Sequence, residues 1–266
     1  MPAIQPELLK RQTAQIAARF GEPERFIRLL RDHLDWYSDR TRRPGLNSPP
    51  PPILHTYRVP AQVMRELRRQ LESLAQADPD KGLRLADVLW EEDNLECRHL
   101  AIDLLSWAPV GHGRLVESRL QRWADPREEA GLLDQLLVEG AARYRRESPD
   151  RYLRLAKDWM SASDPAVQAL GIRLLTGLAN DPGFDNLPVI YLRARLLIQR
   201  APPDLQPDLA DLIAALARRS PPETATYLEK CLGSAQDSGT GSLVRRSLHA
   251  FPPDEQRRLR AALVGV

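Results

Sequence analysis

A capping side chain directly before a proline recurs along this chain, at Asp78-Pro79, Asp125-Pro126, Ser148-Pro149, Asp164-Pro165, Asp181-Pro182 and Ser220-Pro221. Each pair reads as a helix start. The Asp or Ser oxygen can accept a first-turn N–H, and proline at the first helical position gives up only a donor that has no partner there. The middle four pairs are 23, 16 and 17 residues apart, room for one helix and a turn. No run between turn signals alternates apolar and polar residues for long enough to be a strand. The chain is therefore expected to be all-α.

The stretch 148–178 shows what one unit looks like. Tyr152, Leu153, Ala156, Trp159 and Met160 recur at helical spacing, a SASD break follows, and Val167, Leu170, Gly171, Leu174 and Leu178 mark a second stripe. Neither helix can bury its stripe alone, which predicts hairpins stacked as an α-α superhelical solenoid with a concave groove. Aligning CRHLAIDLL (97–105), VQALGIRLL (167–175) and VRRSLHAF (244–251) places Cys97, Val167 and Val244 together, then Ala101, Gly171 and Leu248, then Leu104, Leu174 and Phe251. Small residues such as Ala101 and Gly171 are expected to let the next hairpin approach closely. Residues 1–37 read as an N-terminal helical cap broken at Gly21-Glu22-Pro23, and 38–56 as a proline-rich linker with extended polyproline geometry. Residues 57–266 read as the repeat array, closed by a helix from Pro253 to Val264.

Several function classes are excluded by composition. No apolar run reaches the roughly 18–20 residues of a membrane span, and MPAIQPELLKRQTAQIAARF has no signal-peptide core; a cytoplasmic location is the expectation. Cys97 and Cys231 fall in apolar helical patterns, so two buried thiols are expected rather than a disulfide. His33, His55, His99, His112 and His249 show no metal-ligand spacing, so neither a metal nor a cofactor is expected. Net charge is +2, from 38 basic and 36 acidic residues, and no segment is a polybasic arm. The glycine pairs Gly111/Gly113 and Gly239/Gly241 read as loops with no strand before them, which speaks against a phosphate cradle.

YRVPAQVMRELRRQL (57–71), LADVLWEEDNLECRHLAIDLL (85–105) and YLRLAKDWMSASDPAVQALGI (152–172) resemble the HEAT-like alkylpurine DNA glycosylases of the DNA alkylation repair superfamily. The carrying residues are Tyr57 with Pro60, Leu89-Trp90 with Glu96 downstream, and Lys157 or Asp158 with Trp159 ahead of Ser163-Asp164. The resemblance implies a HEAT-like repeat fold. It also implies a carboxylate that stabilises the cationic sugar left as a charged base departs, aromatic faces around it, and an arginine on phosphate.

Counting back from Trp159 places the catalytic-type carboxylate at Asp134. The aromatic position one turn earlier is Ala130, the arginine position is Ala169, and the later Trp position falls near Asp211 or Leu212. Trp123 could replace the missing aromatic. Arg98, Arg173, Arg245 and Arg246 are the candidate phosphate-facing cations, and Arg193, Arg195 and Arg200 read as a solvated face. The expected function is a non-catalytic member whose concave groove binds duplex DNA or a protein partner. A working glycosylase using Asp134 and a protein-interaction scaffold with no DNA role are the alternatives.

Overall fold

The computed structural model describes residues 5–39, 54–234 and 239–264, and every regular element among them is helical. The linker reading falls mostly on 40–53, outside the described residues. The chain divides into two compact units, Met1–Glu147 and Ser148–Val266, so the boundary lies at the Ser148-Pro149 helix start.

In the first unit the helices are α1 (Pro6–Ala17), α2 (Pro23–Tyr37), α3 (Ala61–Ala77), α4 (Pro79–Trp90), α5 (Leu95–Trp107), α6 (Gly113–Trp123), α7 (Ala130–Gln135) and α8 (Ala142–Glu147). A five-residue π-helical segment, Leu136–Gly140, continues α7. Helix α1 packs on α3 and α2 on α4, so the N-terminal pair is built into this unit. Phe26, Leu30 and Leu34 of α2, Leu67 and Leu71 of α3, Leu85 and Leu89 of α4 and Leu100 and Leu104 of α5 are all within 1% of full burial.

The second unit comprises α9 (Pro149–Met160), α10 (Pro165–Ala179), α11 (Leu187–Arg200), α12 (Gln206–Arg219), α13 (Pro221–Gly233), α14 (Gly239–Ser247) and α15 (Pro253–Val264). Helices α10, α12 and α14 pack in series, as do α11, α13 and α15, while α9 closes against α10 and α12 against α13. Two layers of alternate helices result. The α9–α10 hairpin matches the reading of 148–178, but α10 is buried on more than the expected stripe. Ile172, Leu175 and Ala179 join Leu170, Leu174 and Leu178 in the core because α9 and α12 both cover the helix.

Gly171 serves a different contact from the expected one. A Cβ there would lie 2.7 Å from the Met160 backbone nitrogen and 2.8 Å from the Ala156 carbonyl oxygen. It lets α10 meet α9 backbone to backbone within one hairpin, rather than admitting the next hairpin.

Four of the six cap-proline pairs open helices α4, α9, α10 and α13. The other two do not. Asp125 accepts the Arg127 N–H at 2.9 Å and Asp181 the Gly183 N–H at 3.0 Å, and helix begins only at Ala130 and Leu187. The residues after these two prolines, Arg-Glu-Glu and Gly-Phe-Asp, offer no apolar stripe for a first turn to bury. The same side-chain chemistry then makes a local Asx turn. The 239–241 glycine pair is also not a loop: it opens α14, where the Thr240 hydroxyl reaches the carbonyls of Ile198 and Gln199 at the end of α11 (3.1 and 2.9 Å).

Candidate functional site

Asp134 lies on α7 with an exposed side chain, between the buried pairs Leu132-Leu133 and Leu136-Leu137. The position one turn earlier, Ala130, is the first residue of the helix. The π-helical segment starts two residues after Asp134 and rests on α5. Gly140 allows this, since a Cβ there would come within 3.2 Å of Ile102 Cγ2. π-Helical turns frequently coincide with functional sites.

Trp123 does not face Asp134 as a surface aromatic. It is 1% exposed and stacked on Trp90, with ring centroids 4.7 Å apart and planes 9° from parallel. Arg98 sits 5.1 Å from the Trp90 ring centre and Arg122 5.9 Å from that of Trp123. Cation–π contact with both rings ties these two arginines to the core. Arg98 is further fixed by Glu128 at 2.6 Å and the Glu92 carbonyl at 3.2 Å, leaving its side chain 14% exposed. Arg173 on α10 pairs with Asp208 on α12 at 2.7 Å. Arg245 and Arg246 end α14 with exposed side chains, and neither has an ion-pair partner among the described residues. Asp134, Trp123 and Arg98 belong to the first unit; Arg173, Arg245 and Arg246 belong to the second.

The structure adds a site that the spacing of these residues did not reveal. The segment 54–60 runs past the start of α5, where the Leu95 N–H donates to the His55 carbonyl at 2.9 Å. Glu96 clasps that segment. Its Oε1 accepts the Arg58 backbone N–H at 2.8 Å and the Thr56 hydroxyl at 2.9 Å. Arg58 is held at φ 54°, a left-handed conformation costly for any residue but glycine, and the carboxylate supplies the hydrogen bond that compensates. Tyr57-x-x-Pro60 and Glu96, far apart in the sequence, are thus two ends of one contact. Their co-occurrence was the available signal.

Beside the clasp is a cavity of about 340 Å³ lined by Thr56, Arg58, Val59, Ala61, Met64, Arg68, Leu95, Glu96 and His99. Glu96 is 8% exposed, and its Oε2 is buried without a hydrogen-bond partner. Arg68 of α3 pairs with Asp103 of α5 at 2.5 Å. Burial, then the nearby Arg68 charge, holds the His99 imidazole below its ordinary pKa. Burial raises the Asp103 carboxyl despite the Arg68 hydrogen bond, and Glu139 of the π-helical segment pushes it the same way. Glu96 and His99 of α5, Arg68 of α3 and Arg58 of the 54–60 segment thus line one cavity. That set suits binding of a polar ligand. Among the described residues no group of His, Cys, Asp and Glu could hold a metal ion, and no helix is long and apolar enough to cross a membrane.

A family model described as DNA alkylation repair enzyme matches residues 54–248, from the segment that Glu96 clasps through α14. No curated protein and no solved structure matches the chain. The match spans most of the chain and takes in the motifs at Tyr57, Trp90, Glu96 and Trp159, so this protein belongs to the DNA alkylation repair enzyme family.

Proposed function

We propose that this member of the family binds duplex DNA on HEAT-like stacked helical hairpins and does not excise bases. The observation that carries the reading is the setting of Asp134: exposed, preceded one turn earlier by Ala130, with Trp123 sealed in the core against Trp90. A carboxylate stabilises a developing sugar cation in inverse proportion to the dielectric around it. At 4 Å the attraction is about 1 kcal/mol in bulk water and about 4 kcal/mol at an effective dielectric of 20. The first figure corresponds to only about fivefold in rate. An exposed Asp134 belongs to the first regime.

In this reading phosphate binding falls to two of the four arginines expected from the sequence. Arg98 and Arg173 are spent on Glu128 and Asp208, whereas Arg245 and Arg246 stand exposed at the end of α14. Incubation with alkylated duplex should release no base above the uncatalysed rate, and Asp134→Asn should leave that result unchanged. Base release that depends on Asp134 would overturn the non-catalytic reading. Duplex affinity should fall steeply with salt, and the double variant Arg245→Ala/Arg246→Ala should reduce the log–log slope by about two.

A protein partner is the second reading, and helix α11 favours it. Leu192 and Leu196 are 66% and 65% exposed there, among Arg193, Arg195 and Arg200, on a helix with no acidic residue. Absence of duplex binding at low salt would leave this face as the reading to pursue.

A further inference from the structure

We propose that the outward face of α11 docks an acidic amphipathic helix of a partner protein, with Leu192 and Leu196 as its apolar anchor and Arg193, Arg195 and Arg200 as its charged rim. The inference rests on the protein-partner reading of this face and adds the chemistry of the partner.

The geometry follows from the helical repeat. Ile190, Ala194 and Ile198 are fully buried and fix α11 in its layer. At about 100° per residue, Leu192 and Leu196 stand on the opposite side, one turn apart and 66% and 65% exposed. Arg193 and Arg200 fall on one flank of that ridge and Arg195 on the other, all three exposed. Single exposed apolar residues are ordinary on a protein surface. A leucine pair on adjacent turns with arginines on both flanks is instead the composition of an interface, an apolar centre inside a polar rim enriched in arginine.

Charge selects the partner. A solvated helix face ordinarily mixes signs so that its charges pair locally, as Arg257 and Asp254 do on α15. No acidic residue lies on α11, and none of its three arginines has an ion-pair partner among the described residues. The acids nearby are engaged elsewhere. Asp185, just ahead of the helix, turns to Arg219 at 3.7 Å, while on the adjoining α13 Glu229 takes Arg258 at 2.8 Å and Glu223 the Ser220 hydroxyl. A partner helix with apolar residues at i, i+3 or i+4 and i+7 can straddle the leucine ridge. Glu or Asp beside that stripe then reach the flanking arginines, as e and g residues do across a coiled-coil seam.

Two other surfaces carry negative charge and fit less well. Nucleic-acid phosphates would leave the leucines at the centre of the contact with no apolar counterpart. An anionic membrane binds in proportion to the apolar area it receives. Two leucine side chains hold roughly half the carbons of a myristoyl chain, itself only a marginal anchor.

Fluorescence anisotropy on the full chain tests the proposal with two labelled peptides of about three heptads, leucine at a and d, and either glutamate or lysine at e and g. Each peptide repels its own copies and so is presented as a monomer. Phosphatidylserine vesicles are the third probe. The glutamate peptide is expected to bind saturably and the lysine peptide not to bind. Leu192→Ser/Leu196→Ser should weaken the glutamate peptide by about tenfold or more. Arg193→Glu/Arg195→Glu should reverse the preference toward the lysine peptide, a result that misfolding cannot produce. The proposal is overturned if the glutamate peptide does not bind, if the lysine peptide binds as well, or if either variant leaves binding unchanged. Equal binding of both peptides that vanishes with the two leucines would overturn the acidic partner alone and keep the protein-partner reading. Leucine-dependent binding of vesicles and of neither peptide would overturn both. Arg245→Ala/Arg246→Ala should leave the glutamate peptide bound; a loss there would move the site off α11 and overturn the proposal.

Discussion

Gly171 sits mid-helix, where alanine is ordinarily favoured by about 1 kcal/mol. Its surroundings reverse that preference, because a methyl group would press on the Met160 nitrogen and the Ala156 carbonyl, both backbone atoms of α9. Gly171→Ala is expected to cost about 2–3 kcal/mol as an overpacked contact, lowering the thermal midpoint by roughly 5 °C or more. An unchanged or higher midpoint would mean the two backbones separate freely. His33 shows a second residue-level effect. Its buried imidazole has no partner on Nε2, and burial brings its pKa from 6.5 to about 4. Between those values the unfolded chain holds the proton and the folded chain does not, so stability falls as pH drops from 6.5 toward 4 and levels off below. His33→Phe is expected to flatten part of that decline in urea unfolding measured across this range, with His99 retaining a share of the same sign. The sequence places both residues on the correct helices. Which backbone faces Gly171, and whether the His33 ring is wet, depends on neighbours far away in the chain.

Among the elements, the cap-proline pairs divide by what their side chains do. Asp78 and Asp164 accept first-turn N–H groups, from Lys81 at 3.0 Å and Ala166 at 2.9 Å, whereas Ser148 makes no side-chain cap bond. Asp164→Ala should therefore destabilise by about 1 kcal/mol, while Ser148→Ala should change the urea midpoint little. Equal effects at the two sites would show that the proline, not the side chain, sets the helix start. Helix positions were legible because capping chemistry and 3.6-residue periodicity are local. The two failures, at Asp125 and Asp181, mark the limit of local chemistry: an Asp-Pro pair becomes a helix start only when an apolar stripe follows for the tertiary structure to bury. The π-helical turn after Asp134 had no such local signal; it depends on Gly140 lying against Ile102 of α5.

For the molecule as a whole, the family match and the burial of individual side chains answer different questions. The matched region runs from Leu54 to Leu248, and α7, which carries Asp134, has no aromatic or basic residue of its own. Trp123 and Arg98 are the clearest cases. Both were candidates for a ligand surface, and both are consumed in a stack that holds α4, α5 and α6 together. A large apolar ring covered by a neighbouring helix gains more from leaving water than from waiting for a ligand, about 25 cal/mol per Å² of apolar surface. Burial assigned their roles, and no spacing rule could have done so.

Local rules alone determined that this chain is helical, where most helices begin, that both cysteines are buried thiols and which family its motifs resemble. Each of these follows from residues within a turn or two of one another, or from patterns that persist along the chain. Only the tertiary structure decided that Glu96 and the Tyr57–Pro60 segment form one clasp beside a cavity, that Trp123 is core, and that Arg245 and Arg246 are exposed while Arg98 and Arg173 are paired. Those outcomes depend on which helices come to lie against one another, and a side chain's solvent exposure and charge partners belong to that packing.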